Sequence, residues 1–347
     1  MLPIEADARA ARDALRGRVV RTPVLRSEAL DLVAGGPVVA KAEGLQHTGS
    51  FKLRGALNRV RTLSRDALDA GLITVSAGNA ALGAAYAARE LGAKLTVVMP
   101  SSAVPEKLRA VRAHGATVVS DGITNATEAF QAADALTAEH GYTFVHPFDD
   151  PMVVAGAATA TLEFLEDEPE LRRLLVPCSG GGLIAGAILA ARTLGSQVEI
   201  VGVQPEGADG IVRSLAAGTP TPPPVISTIA DGLTAPKPGL VNLELVRSAQ
   251  INVVTVSDEM ILAAMGEIVR ALRVVVEPAA AAGLAALLGQ PSRAGRGTTG
   301  LMLTGSNVSM TLLAQVLTTA DAGVGGMSGM LTAGRGTSGE RLTEGNV

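Results

Sequence analysis

The sequence predicts an α/β fold on open parallel sheets, on three observations. Short apolar, β-branched runs alternate with longer Ala-rich helical runs over most of the chain. Several of those short runs are apolar without a break, as parallel strands covered on both faces must be. Each leads into a Gly-rich or polar turn, the place where such a sheet binds ligands, beyond the carboxyl ends of its strands. A chain of 347 residues has room for about two domains at ~150 residues each.

The elements follow in order. "GLITVSAGN" (71–79) reads as a strand and a turn, and "NAALGAAYAARELGA" (79–93) as a helix with Asn79 near its start. "KLTVVMP" (94–100) is a strand ended by Pro100, and "VPEKLRAVRAHGA" (104–116) a helix with Pro105 in its first turn. "TVVSD" (117–121) is a strand, "NATEAFQAADALTAEHG" (125–141) a helix and "YTFVHPFDD" (142–150) a strand. "RRLLVPCSGGG" (172–182), "VEIVGVQPEG" (198–207) and "TGLMLTGSNV" (299–308) complete the series. "GTPTPPPVIST" (218–228) is a Pro-rich surface loop. From about residue 321 the chain turns rich in Gly, Ser and Thr without periodicity, and 321–347 reads as a flexible tail.

Composition narrows the function. Hydrophobic residues are 47% and charged ones 18%, so the chain is globular. Net charge is −4, and two Tyr, five Phe and no Trp leave no basic stripe with interleaved aromatics, which counts against nucleic acid as a partner. The first residues lack the apolar core of a signal peptide. The uncharged run 297–320 holds too much Thr, Ser, Asn and Gly for a membrane span. One cysteine, Cys178, excludes an internal disulfide framework and a Cys-rich metal site. A cytoplasmic protein with no membrane partner is expected.

Four stretches carry chemistry. In "VPCSGGGLIAGAILAAR" (176–192) a strand runs through Ser179, Gly180, Gly181 and Gly182 into a helix starting near Leu183. Glycines admit a close ligand, and free N–H groups at a helix start favour an anion, so the turn can cradle phosphate or be a plain tight turn. Gly180, Gly182 and Ala185 also fit a dinucleotide fingerprint with Glu199 as its acid, which keeps a nicotinamide oxidoreductase in contention. "SAGNAALG" (76–83) places Ser76, Gly78 and Asn79 at a helix start, as an anion site or an ordinary cap. "HTGSFKLRGA" (47–56) sets one amine, Lys52, among small residues and Phe51; a desolvated amine is a Schiff-base nucleophile, a surface one is inert. "LTGSNVS" (303–309) ends an apolar strand with the hydroxyl of Thr304.

The order of these pieces resembles the fold-type II pyridoxal-phosphate enzymes, in the branch of threonine/serine dehydratases and serine racemases. The family's S-F-K-x-R-G-A is matched by Ser50–Ala56, its S-x-G-N by Ser76–Asn79 and its phosphate loop by Ser179–Leu183, with weaker echoes such as "VHPFDDPMVVAG" (145–156) and "VVVEPAAAAGLAAL" (274–287). The likeness covers about residues 15–317. It implies a two-domain, tryptophan-synthase-β-like architecture, with 1–68 and 151–320 as a large cofactor domain and 69–150 as a small substrate-side domain. It implies that Lys52 carries pyridoxal 5'-phosphate and acts as the catalytic base. Phe51 would pack on the ring, Asn79 bond its hydroxyl, Ser179, Gly180, Gly181, Gly182 and Leu183 hold the phosphate, and Thr304 face the pyridine nitrogen. Ser76, Gly78 and Asn79 would bind the substrate carboxylate. The implied reaction is β-elimination from a β-hydroxy-α-amino acid, giving a 2-oxo acid and ammonia, in a homodimer.

The departures sharpen this. Where the racemases often carry a second Ser as far-face acid/base, this chain has Ala77, which moves no proton; dehydration is expected over racemisation or epimerisation, with β-replacement as a further alternative. Ala80 and Ala157 replace a usual His and Gln, which predicts a roomier or less polar pocket and a bulkier substrate, and leaves open a relative that binds the cofactor without turnover. Gln204 and Gly210 stand where cation-binding members use acids, so no metal is expected. His47, His114, His140 and His146 read as structural, Cys178 as a small buried residue, and Glu277 as a helix cap that also lines the pocket.

Overall fold

The computed structural model describes residues 2–101, 103, 105–289 and 297–322. Its strands are β1 (Val24–Arg26), β2 (Val38–Ala42), β3 (Leu72–Val75), β4 (Leu95–Val98), β5 (Thr117–Val119), β6 (Thr143–Phe144), β7 (Arg173–Pro177), β8 (Glu199–Pro205), β9 (Asn252–Val256) and β10 (Thr299–Leu303). They form a six-stranded sheet in the order β1-β2-β10-β7-β8-β9 and a four-stranded sheet in the order β5-β4-β3-β6. All pairings are parallel except β1 with β2. Every residue of β2, β3, β4, β7 and β10 is buried, the condition for the unbroken apolar runs seen in most of them. The edge strands β1, β5 and β9 are largely uncovered, and β1 and β9 lie outside the patterns that sequence periodicity identifies.

The expected strand over 142–150 is shorter than the sequence pattern suggests. After Val145 donates to the Ile73 carbonyl, side chains take over the backbone. His146 Nδ1 accepts from the N–H groups of Phe148 (3.2 Å) and Asp149 (2.8 Å), and Asp150 caps the helix Pro151–Asp167 by accepting from Met152 and Val153. Residues Met1–Val308 form one compact unit; a second begins at Ser309, and its described part holds the helix Met310–Ala322. Of the expected tail, residues 321 and 322 end that helix and 323–347 lie outside the described residues.

Helix Lys52–Arg61 is fixed from two sides. At its start, Phe51 N donates to the Thr304 carbonyl (3.0 Å) and Ser50 bridges Gly305, so the helix begins at the end of β10. Along its length it crosses the helix Pro151–Asp167 with the backbones touching: a Cβ on Gly156 would lie 2.4 Å from the Arg54 carbonyl oxygen, and one on Gly55 would lie 2.8 Å from that of Val153. This approach carries Arg54 into a buried ionic cluster. Its guanidinium donates to both carboxylate oxygens of Glu43 (2.8 and 2.8 Å) and of Glu163 (2.7 and 2.8 Å), while Lys41 Nζ donates to Glu163 (2.8 Å) and the Thr22 carbonyl (2.7 Å). Two cations meet two carboxylates, so the burial leaves no unpaired charge.

Burial alone would raise the Glu43 carboxyl; the charge and hydrogen bonds of Arg54 outweigh it and hold the group below its ordinary 4.5. A depressed carboxyl contributes stability at neutral pH that is lost as pH falls below 4.5 toward the folded value. Glu43→Ala, which strands part of the Arg54 charge, is expected to cost about 3–5 kcal/mol in urea unfolding at pH 7. It should also flatten the acid limb of the stability curve. A loss under about 1 kcal/mol would mean the cluster does not hold the helix.

Candidate active site

The carboxyl ends of β3, β7 and β10 open onto one cavity of about 340 Å³. Phe51, Lys52, Ser76, Gly78, Asn79, Thr304 and the turn from Ser179 to Leu183 all line it, so the structure gathers every site residue singled out from the sequence.

Lys52 opens its helix with its amine inside the protein. Nζ lies 3.3 Å from the Pro147 carbonyl oxygen, 5.2 Å from the Phe51 ring centre and 6.0 Å from that of Phe148. Burial lowers its pKa from 10.5 to about 8, against the opposing pull of the Glu277 carboxylate. Lys52 is thus half-buried with its amine turned into the cavity, unlike an ordinary surface lysine.

The glycine turn is shaped by what leaves no room for side chains. Gly181 sits at φ +92 with its Cβ direction blocked by Asn242 Cβ at 2.7 Å, and a Cβ on Gly180 would meet the Phe148 ring at 2.6 Å. Asn242 Nδ2 holds the turn by donating to the carbonyls of Gly180 (2.8 Å) and Phe148 (3.0 Å). The helix Gly182–Leu194 behind it has no side-chain cap, which leaves its first N–H groups for an anion. The Ser179 hydroxyl accepts from Ala235 N (2.9 Å) and ties the turn to a neighbouring loop. Helix Asn79–Glu90 is uncapped by side chains in the same way, and Ser76 Oγ orders the turn before it by accepting from Gly78 N (3.1 Å).

Several contacts escaped sequence reasoning, although Asn79 and Glu277 both line the cavity as expected. Asn79 Nδ2 donates to both oxygens of Glu277 (2.7 and 2.9 Å), and its Oδ1 accepts from Asn307 Nδ2 (2.8 Å). Glu277 therefore does not cap the helix Pro278–Leu288 with its side chain; it holds Asn79, and burial pushes its carboxyl up to about 7 against the pull of that hydrogen bond. Asn307 has no local signal in the sequence beyond closing "TGSN". Phe148 and Asn242 gain their roles only through long-range packing. Lys107 lines the cavity in an ion pair with Asp231.

Other sequence readings resolve here. Cys178 is buried and its thiol is pushed up to about 12 by that burial, so it is no nucleophile. His146 is lowered by burial and its Nδ1 is used as an acceptor, a structural role. The acid required by a dinucleotide site, Glu199, stands at the amino end of β8 beside Arg173 at the amino end of β7, whereas the glycine turn follows the carboxyl end. Acid and turn lie at opposite ends of the sheet, which removes the nicotinamide reading. Where an acid would bind a cation, Gln204 is fully buried and satisfied: Nε2 donates to the Ala208 carbonyl and Oε1 accepts from Ile211 N and Val212 N, each at 3.1 Å. Among the described residues no three His, Cys, Asp or Glu side chains are grouped to hold a metal ion. Nor is any described helix long and apolar enough to cross a membrane.

The residues present fit pyridoxal phosphate. A desolvated amine, a helix start freed for an anion and a turn cleared of side chains share one cavity.

Comparison with known proteins agrees. The chain is 42% identical over 307 residues to the L-threonine ammonia-lyase of Geobacter sulfurreducens, covering 88% of this chain and 76% of that protein. It is 39% identical to the phenylserine dehydratase of Ralstonia pickettii, covering 88% and 94%. Its fold matches the structure of maize serine racemase with a TM-score of 0.85 at 32% identity, covering 93% and 99%. Residues 15–305 match the family described as "Pyridoxal-phosphate dependent enzyme", and the chain belongs to that family.

Proposed function

We propose that this enzyme is an ammonia-lyase that removes water from a β-hydroxy-α-amino acid and releases a 2-oxo acid and ammonia. The observation that carries the proposal is Lys52: one buried amine, lowered to about 8, in the cavity that also holds two helix starts. Similarity to the threonine ammonia-lyase and the phenylserine dehydratase supports the same chemistry.

Bound in this cavity, pyridoxal phosphate supplies an electron sink for the bond that breaks at the α-carbon. The chain's own residues do the rest. The turn from Ser179 to Leu183 binds the phosphate through backbone N–H groups. Ser76, Gly78 and Asn79 form the uncapped start of helix Asn79–Glu90, and its free backbone N–H groups hold the substrate carboxylate while the Asn79 amide stays on Glu277 and Asn307, which fixes the face the α-proton presents. Lys52, half neutral near pH 8, takes that proton. Thr304 lines the cavity with a neutral hydroxyl rather than a carboxylate, and against the cofactor it would favour β-elimination over routes that store charge. Ala77 carries no proton on its own side of the cavity, which sets dehydration above racemisation in spite of the fold shared with serine racemase. The lobe built on the six-stranded sheet holds the cofactor and the one built on the four-stranded sheet meets the substrate. The enzyme works in the cytoplasm as a homodimer.

The purified protein is expected to be yellow, and borohydride reduction followed by peptide mapping should mark Lys52. Lys52→Ala should lose about 10²–10⁴-fold in turnover or more. Label on another lysine, or a colourless protein that takes up no cofactor, would overturn the reading, and racemised rather than deaminated product would favour the racemase instead.

The amine reacts only when neutral, so cofactor uptake by the stripped protein should rise as pH passes about 8 and level off above it. An ordinary lysine would be roughly 0.3% neutral at that pH. Glu277→Gln removes the charge that opposes the lowering and should move the midpoint down; a midpoint near 10.5 would show that burial does not set the amine's reactivity.

A further inference from the structure

The wall that the four-stranded sheet and its helices give to the cavity differs in chemistry from the wall that carries Lys52. Ala77 and Ala80 flank Gly78, Pro100 follows β4, and Ala126 and Phe130 stand one turn apart on the helix Ala126–His140. Phe130 is a braced surface, its ring 6.1 Å from the rings of both Phe144 and His146. The polar groups on this wall are already engaged. Ser76 orders the Gly78 turn, the Asn79 amide is bonded at both its oxygen and its nitrogen, and Lys107, the one cation of this wall among the described residues, is paired with Asp231.

We infer that Ala77, Ala80, Pro100, Ala126 and Phe130 form the surface that reads the substrate's β-substituent, and that it selects an aryl or branched alkyl group over the hydrogen of serine and over an anionic group. This rests on the ammonia-lyase reading and deepens it. With the α-carboxylate held at the Gly78 turn, the β-carbon meets a surface of methyl groups, a prolyl ring and a phenyl ring. An apolar substituent gains contact there at no cost in hydrogen bonds. A carboxylate would surrender its water and find the nearest cation already neutralised.

The test uses the holoenzyme and four probes, serine, threonine, 3-phenylserine and 3-hydroxyaspartate, with 2-oxo acid release as readout. The expected kcat/KM for 3-phenylserine exceeds that for serine at least about tenfold, since a single methylene against an apolar wall is worth roughly that much. 3-Hydroxyaspartate should be the poorest. Ala126→Leu, at a half-exposed first helical position, should lower the phenylserine-to-serine ratio at least about tenfold by filling the space. Ala126→Arg should raise 3-hydroxyaspartate relative to phenylserine. A preference for serine, or a ratio unmoved by both substitutions, overturns the inference while leaving the ammonia-lyase reading intact. If none of the four yields 2-oxo acid, that reading fails, and spectral titration of the bound cofactor still decides the wall: tighter binding of 3-phenylserine than of serine supports it, and equal binding overturns it.

Discussion

The fold and the site both depend on one buried contact, the bidentate grip of Arg54 on Glu43 and Glu163. Arg54 lies two residues after Lys52, on the helix whose direction sets where the lysine points. Glu43 follows β2, and Glu163 lies on the helix Pro151–Asp167. The contact ties three separated parts of the chain to one guanidinium with no exposure to water. A lysine or methionine at position 54 would lack the planar fork that reaches both carboxylates at once. The two glycines where the helices cross exist because this reach demands that the backbones touch.

Around that anchor the protein handles charge in two opposite ways. In the Arg54 cluster every charge is matched, and the result is rigidity. In the cavity the matching is left incomplete. Lys52 has one backbone carbonyl nearby, and Glu277 is bonded to an amide rather than to a cation. Both are therefore pushed toward their neutral forms, the amine down and the carboxyl up. An amine poised between its charged and neutral forms is thus made by withholding a partner, a few residues from a place where partners are supplied in full.

Much of this was legible in the sequence, for physical reasons that also mark its limits. Buried parallel strands must be apolar throughout, so β3, β4, β7, β8 and β10 announce themselves. Helix starts that bind anions need glycine and small polar residues, so the Ser179 and Ser76 turns do too. The edge strands β1 and β9 are part-exposed and carry no such signature. The strand expected through residue 150 ends early because the His146 ring and the Asp150 carboxylate claim backbone N–H groups that a sheet would have used. Glu277, Asn307, Asn242 and Phe148 act through partners far along the chain. Their spacing in sequence follows no period, so nothing local could have paired them.

The strand order has a consequence for how the molecule comes into being. β10, the last strand in sequence among the described residues, occupies the middle of the larger sheet, between β2 and β7. Until it is made, the earlier strands face an open slot, and Phe51 has no Thr304 carbonyl to receive its N–H. Pairings this distant in sequence form slowly. The nascent protein therefore exposes the edges of β2 and β7 until β10 has been made. The cavity gains its Thr304 wall only when β10 has docked, so its shape waits on the pairing most distant in sequence.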